Sequence, residues 1–346
     1  MIAFDVQLSG ITPLSRDQVI RLIQVTGRYE SLIMLIHNSR TINGKSLLGL
    51  LSLGATGDDP VGVRVDGADE EKAAEALRIL LEEGIRPEKS IEDAWEWLHQ
   101  LKESLMNLLG ENLAGIYVHG SVADGCFQWK TSDIDFLVLV RREMAPDDKV
   151  RFVQLMEALS ESAPPAGIEC SVMLTSDAAR MAYPAPFQLH FSAMWRDECK
   201  KDPKKFCEWM HGADPDLTTH VLSLRRSGVA LLGDSPARAF GTVDRDDCLK
   251  AMMNDLEDAE AVLAENPVYA VLNLCRALAF KRENLSLSKP EGGRWAMQNL
   301  NARYQGVIQA AINAYEQARD MFFDREAALD FCQEAVDELA NAAEEK

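Results

Sequence analysis

Two short apolar runs, residues 113–118 and 136–140, stand close together with a polar stretch between them. Runs of this length, rich in Ile, Val, Leu and aromatic residues, predict buried β-strands. The first run leads into Gly120-Ser121, and eleven residues later Asp133-Ile134-Asp135 opens the second. Residues 168–175, IECSVMLT, predict a third strand with Ile168, Cys170, Val172 and Leu174 on one face and Glu169, Ser171 and Met173 on the other. The helix-like KVRFVQLMEALSES precedes it, set off by the turn Pro164-Pro165-Ala166-Gly167.

Upstream, residues 1–87 predict an α/β unit in the order strand, helix, strand, strand, helix, strand, helix. Val61, Val63 and Val65 share one strand face, and Asn38-Ser39 marks a hairpin. A short linker, residues 84–90, follows. Ser90, with Asp93 three places on, predicts a capped helix burying Ala94, Leu98, Leu101, Leu105 and Leu108. Trp95 and Trp97 read as core or interface residues. From about residue 180 the pattern predicts helices broken by prolines, with FQLHFSAMW a core helix and HVLSLRRSGVALLG helical throughout. No fixed-period repeat is present.

Charge narrows the function. The net charge is −19 and no Lys/Arg cluster occurs, which argues against a nucleic-acid partner and suits a cationic substrate. Seven cysteines at irregular positions, with no C-x-x-C pair, predict reduced thiols and no structural zinc. The start MIAFDVQLSG lacks a basic segment and an apolar segment, and no apolar run is long enough to span a bilayer, so a cytoplasmic protein is expected.

The candidate chemistry lies in the strands. Alternation puts Asp133 and Asp135 on one side, where two carboxylates repel unless a divalent cation lies between them. Oxygen ligands suit Mg²⁺, which also takes phosphate oxygens of a nucleotide. Gly120-Ser121 allows close backbone approach to a phosphate and adds a hydroxyl donor. Glu169 is the candidate third carboxylate, as metal ligand or as base for an incoming hydroxyl. Arg276, mid-helix among apolar neighbours, and Lys289, read as lying in a loop before Gly292-Gly293, are candidate cations for a triphosphate. Ser46 reads either as an N-cap for a helix from Leu47 or as a regulatory site. The six histidines show no metal-ligand spacing, and His119, just before Gly120, reads either as a satisfied strand-end residue or as a phosphate contact.

These motifs carry three resemblances. Gly-Ser followed by Asp-x-Asp between two strands resembles the nucleotidyltransferase superfold of DNA polymerase β. NGKSLLGLLSLG and VDGADEEKAAEALRILLEEG resemble the histidine-containing phosphocarrier of the bacterial sugar phosphotransferase system. There Ser15 stands at the position of the phosphorylated His and Asp17 at that of the Arg, so the resemblance implies docking or regulation without phosphohistidine chemistry. Ser46 matches the regulatory serine of some carriers, and phosphotransferase-system proteins are the implied partners. Residues 100–320, notably VLNLCRALAF and SKPEGGRWAMQNL, resemble the streptomycin/spectinomycin adenylyltransferases. That resemblance implies ATP contacts from Arg276, Lys289 and Tyr315, catalytic carboxylates at Asp133, Asp135 and Glu169, and transfer of AMP to a drug hydroxyl. The family binds its drug through a Trp and acidic residues of the segment that here reads NDLEDAEAVLAENPVYA, which is acidic but lacks the Trp; Trp195 stands in altered surroundings, and a metabolite or a protein side chain stays open as the acceptor. The expected architecture is α+β multidomain: a phosphocarrier-like open-faced β-sandwich (1–87), a polymerase β-like nucleotidyltransferase domain (88–180) and a C-terminal helical bundle (181–346).

Overall fold

The computed structural model describes residues 1–7, 14–54, 60–82, 89–256 and 258–341. Pro13, the side chain of Asp17 and residues 83–88, with most of the expected linker, lie outside them. The chain divides into two compact units, Met1–Lys89 and Ser90–Lys346.

The first unit runs β1 (Ile2–Gln7), α1 (Arg16–Thr26), β2 (Leu32–His37), β3 (Arg40–Asn43), α2 (Leu47–Leu51), β4 (Pro60–Asp66) and α3 (Glu70–Glu82), the order read from the hydrophobic pattern. Its antiparallel sheet has the order β1-β4-β2-β3. Ile33, Leu35, Val61, Val63 and Val65 pack with Val19, Leu22, Leu50 and Leu77 of the helices, an open-faced sandwich. Asn38 and Ser39 take φ of 46° and 65°, the left-handed pair that a two-residue hairpin needs. Ser15 and Ser46 both cap helices, accepting from the amides of Gln18 and Gly49 at 3.2 Å.

The second unit opens with α4 (Ile91–Leu109), whose Ser90 amide donates to Asp93 Oδ2 at 2.7 Å. There follow β5 (Leu113–His119), α5 (Gly120–Ala123), β6 (Ile134–Val140), α6 (Pro146–Ser160), β7 (Ile168–Leu174) and α7 (Thr175–Arg180). Next come β8 (Ala185–Phe187), β9 (Leu189–Ser192), α8 (Arg196–Lys201), α9 (Pro203–Trp209), β10 (Gly212–Asp214), α10 (Asp216–Ser227) and β11 (Val229–Leu232). The main sheet has the order β11-β5-β6-β7-β9, and β8 pairs with β10. Among the described residues only β6 and β7 pair in parallel, joined through α6. One face of the sheet buries Val118, Phe136, Val138 and Val172 against Leu98 and Leu101 of α4 and Phe152 and Met156 of α6. The other buries Tyr117, Leu137, Leu139 and Met173 against Leu217, Val221 and Leu224 of α10. Trp97 lies in the first of these cores and its indole donates to the Leu159 carbonyl at 3.0 Å.

The expectation of an all-helical chain beyond 180 is corrected here. FQLHFSAMW contains strand β9, with Leu189 and Phe191 buried and His190 and Ser192 half-exposed. A short apolar run fits a strand or a helix equally, and here an open sheet edge beside β7 decided. HVLSLRRSGVALLG is helical only to Ser227; Gly228 ends the helix and Val229–Leu232 becomes the opposite edge strand.

The elements described after β11 are helices: α11 (Pro236–Ala239), α12 (Arg245–Asp255), α13 (Ala259–Glu265), α14 (Pro267–Glu283), α15 (Lys289–Asn299), α16 (Gln305–Glu316) and α17 (Arg325–Ala340). Helix α14 is the axis of this bundle, buried almost continuously from Ala270 to Phe280. Gly292 and Gly293 let α15 cross it closely, since a Cβ at Gly292 would sit 2.7 Å from Arg276 Cγ. Among the described residues no helix is long and apolar enough to cross a membrane. Phe136, fully buried on central strand β6, should cost about 3–5 kcal/mol of stability when replaced by Ala, measured by denaturant unfolding.

Candidate functional site

Strand register builds the site. Parallel β6 and β7 pair Asp135 with Glu169, and antiparallel β5 pairs His119 with Asp135. Asp133 stands two residues before Asp135, on the same side. Ligand oxygens of Asp133, Asp135 and Glu169 all lie within 4.8 Å of one another. The close packing requires Gly120: its φ is +64°, and a Cβ there would overlap the Asp135 carboxylate. Next to it the Ser121 hydroxyl is buried with no hydrogen-bond partner among the described residues.

The carboxylates sit on the floor of a cavity of about 230 Å³. Gly120, Ser121, Asp133, Asp135, Glu169, Arg276, Lys289 and Tyr315 all line it, so these eight candidates converge; Ser46 lies in the other unit. Arg276 is held from α14, its Nε donating to the Leu287 carbonyl at 2.7 Å and Nη1 to Asn273 Oδ1 at 2.9 Å. Lys289 is not in a loop but is the first residue of α15, capped by Ser288 and Glu291. The Ser-x-x-Glu spacing and Pro290 already encode that helix start. The Lys289 ammonium lies 4.8 Å from the Tyr269 ring centroid. The Tyr315 hydroxyl donates to the Cys126 carbonyl at 3.3 Å, tying α16 to the loop after α5.

Burial raises the pKa of Asp133, with Lys289 opposing it and the Glu169 charge adding to it. Burial raises Asp135 further, reinforced by the charges of Asp133 and Glu169. Lys289 is lowered by burial and by the nearby Arg276. The protein therefore holds unlike charges on two sides of a niche, each destabilised by its own crowding. The donor set contains only oxygen, which fits a hard divalent cation.

Further residues line the cavity besides these eight. Asp216 and Asp255 form an acidic wall, and Tyr269 donates to Asp255 Oδ2 at 2.7 Å. Burial, then the charges of Asp255 and Asp214, push the Asp216 carboxyl up to about 6. His119 packs against His220 with ring centroids 4.8 Å apart and the rings tilted by 41°, and burial lowers its pKa well below the usual histidine value. No local motif marks Asp216 or His220, which reach the cavity only through tertiary packing, whereas Asp255 lies in the acidic NDLEDAEAVLAENPVYA stretch and His119 directly precedes Gly120. Trp195 packs edge-on against Trp209 at 5.4 Å and is not part of the cavity lining.

The carboxylate cluster has a stability consequence. A carboxyl whose folded pKa is raised favours the fold below its unfolded pKa and loses that contribution as pH rises through the folded value. Ionising Asp135 thus works against the fold. Asp135→Asn should raise the melting temperature at pH 7.5 by roughly 2–4 °C, about 1 kcal/mol, with the gain disappearing in acid. A lower melting temperature at neutral pH would contradict this charge assignment. Gly120→Ala should instead lose about 1–3 kcal/mol through overlap and strain.

Both units have known relatives. The family model for the aminoglycoside adenylyltransferase C-terminal domain matches residues 238–343, and that for the HPr phosphorylation-site component of the phosphotransferase system matches 18–83. An aminoglycoside (3'') (9) adenylyltransferase of Klebsiella pneumoniae is 27% identical over 233 residues, 64% of this chain and 85% of the relative. Its Escherichia coli counterpart is 27% identical over 218 residues, 60% of this chain and 79% of the relative. The solved spectinomycin adenyltransferase of Enterococcus faecialis, crystallised with ATP and spectinomycin, superposes with a TM-score of 0.61 at 17% identity, covering 71% of this chain and 99% of that one. The chain thus resembles the aminoglycoside adenylyltransferases through its second unit and the HPr phosphocarrier through its first.

Proposed function

We propose that the second unit catalyses Mg²⁺-dependent transfer of AMP from ATP to a hydroxyl of an aminoglycoside-like acceptor. The observation that carries this reading is the convergence of three carboxylates, a Gly-Ser turn and two buried cations on one cavity. Asp133 and Asp135 would hold the metal, with Glu169 as a further ligand or as base. Held by these carboxylates, a divalent cation would offset their repulsion and supply charge stabilisation to the reacting phosphate. Gly120 and Ser121 bind phosphate oxygens, and Arg276 and Lys289 neutralise the β- and γ-phosphates. Tyr315 closes the nucleotide side. Glu169 accepts the acceptor hydroxyl proton; the new O–P bond forms at the α-phosphorus as the α–β bridge breaks and pyrophosphate leaves. Asp216 and Asp255, across the cavity, suit an acceptor carrying ammonium groups.

The nucleotidyltransferase part was expected to end at 180. In this reading it takes in β9 and β11, which belong to the main sheet, and the helical part follows. The first unit is assigned a regulatory role toward phosphotransferase-system proteins. The family match over 18–83 supports it, as do the exposed Leu47, Leu48 and Leu51 behind Ser46. Ser15, a helix cap, offers no imidazole nucleophile.

With ATP labelled on the α-phosphate, Mg²⁺ and a panel containing streptomycin and spectinomycin, label should move to an aminoglycoside-type acceptor. Asp135→Asn should reduce that transfer by roughly 10³-fold or more. Label reaching no member of the panel, or transfer surviving Asp135→Asn, would overturn the reading. Because the Asp216 carboxyl titrates at about 6, its ionised form declines as pH falls through that value. The KM for a cationic acceptor should accordingly rise below pH 6, and Asp216→Asn should flatten that dependence.

A further inference from the structure

The two halves of the proposed phosphate cradle come from different cores. Gly120 and Ser121 belong to α5 on the sheet, whereas Lys289 begins α15 on the helical bundle. Arg226, near the end of α10, touches both. Its Nη2 pairs with Asp124, the residue that caps the C-terminus of α5. Its Nη1 donates to Glu291 Oε2 at 2.7 Å and to the Ser286 carbonyl at 3.1 Å. Ser227 donates to the same Asp124 oxygen at 2.5 Å.

Each carboxylate that Arg226 holds has a second task. Asp124 lines the cavity, and its N–H bonds back to Gly120. Glu291 Oε2 accepts from the Ser288 amide at 2.8 Å and the Ser288 hydroxyl at 2.7 Å, closing the capping box that sets the start of α15. Burial pushes the Glu291 carboxyl up, but these bonds and Arg226 outweigh it and hold it at about 2. The Arg226 side chain is 24% exposed and that of Asp124 only 8%, so the pair is largely shielded from screening water. A planar guanidinium spans two carboxylates at fixed geometry, which a lysine ammonium does not.

We propose that Arg226 is a positioning residue for nucleotide binding, holding Gly120-Ser121 and Lys289 at the spacing a triphosphate requires. The proposal rests on the nucleotidyltransferase reading of the cavity. Arg226 acts through Asp124 and Glu291.

The test uses the full chain and titrates Mg-ATP by calorimetry beside steady-state transfer kinetics. Arg226→Gln should weaken ATP binding and raise the KM for ATP about tenfold or more, with the acceptor KM changed less than twofold. Glu291→Gln should weaken ATP binding in part, and the double variant should be no worse than Arg226→Gln, because both remove one linkage. Arg226→Lys should recover only a fraction. Wild-type ATP affinity in Arg226→Gln overturns the proposal. So does a loss of ATP and acceptor affinity in equal proportion with a lowered melting temperature, which marks a merely structural arginine. Mg-ATP binding without transfer to any acceptor would instead undo the reaction assignment and leave the positioning role measurable by titration; no ATP binding by the wild type would overturn both.

Discussion

Three carboxylates within one niche are the constraint on which the rest of the second unit depends. Asp133, Asp135 and Glu169 repel each other, and burial denies them the water that would weaken the repulsion. A fold tolerates that arrangement only if the surrounding framework is rigid. Here the framework is β6 and β7 side by side, buried on both faces between α4 and α6 on one side and α10 on the other. The ionised groups cost stability, and the extended cores on both faces of the sheet supply it.

The same constraint explains the positions opposite. Arg276 is confined in a helix that is otherwise nearly all apolar, and Lys289 is fixed at a capped helix start. Neither is aimed at the carboxylates by a direct ion pair; each is anchored by other bonds, Arg276 to Asn273 and Leu287 and Lys289 over Tyr269. Cations placed near but apart from carboxylates leave room between them for a ligand carrying negative phosphates and a bound cation. Small residues make this geometry possible: Gly120 admits the Asp135 carboxylate, and Gly292 admits the Arg276 stem.

The parts legible in the sequence were those governed by local rules. Strand alternation places Asp133 and Asp135 on one side and puts Glu169 at the start of the next strand, and β6–β7 register then completes the triad. Caps were equally legible at Ser46 and Ser90, and the Ser288-to-Glu291 box should have moved Lys289 from loop to helix. Strands β9 and β11 were not legible, because an edge strand of four residues is selected by the sheet beside it rather than by its own pattern. Asp216, His220 and Arg226 stayed hidden for a related reason. They are ordinary helix residues until tertiary packing turns Asp216 and His220 toward the cavity and sets Arg226 between Asp124 and Glu291. Arg276 and Tyr315 were reachable mainly through family resemblance, since a buried Arg or Tyr in a helix has many structural uses.

The central claim is that the triad holds a divalent cation together with the phosphates of ATP. Crystals grown with Mn²⁺ and a non-hydrolysable ATP analogue, measured at the manganese absorption edge, test it directly. The account predicts anomalous density bonded to Asp133, Asp135 and the α-phosphate, with the outer phosphates against Lys289 and Arg276. Manganese absent from the triad, or a triphosphate lying away from those two cations, would contradict it.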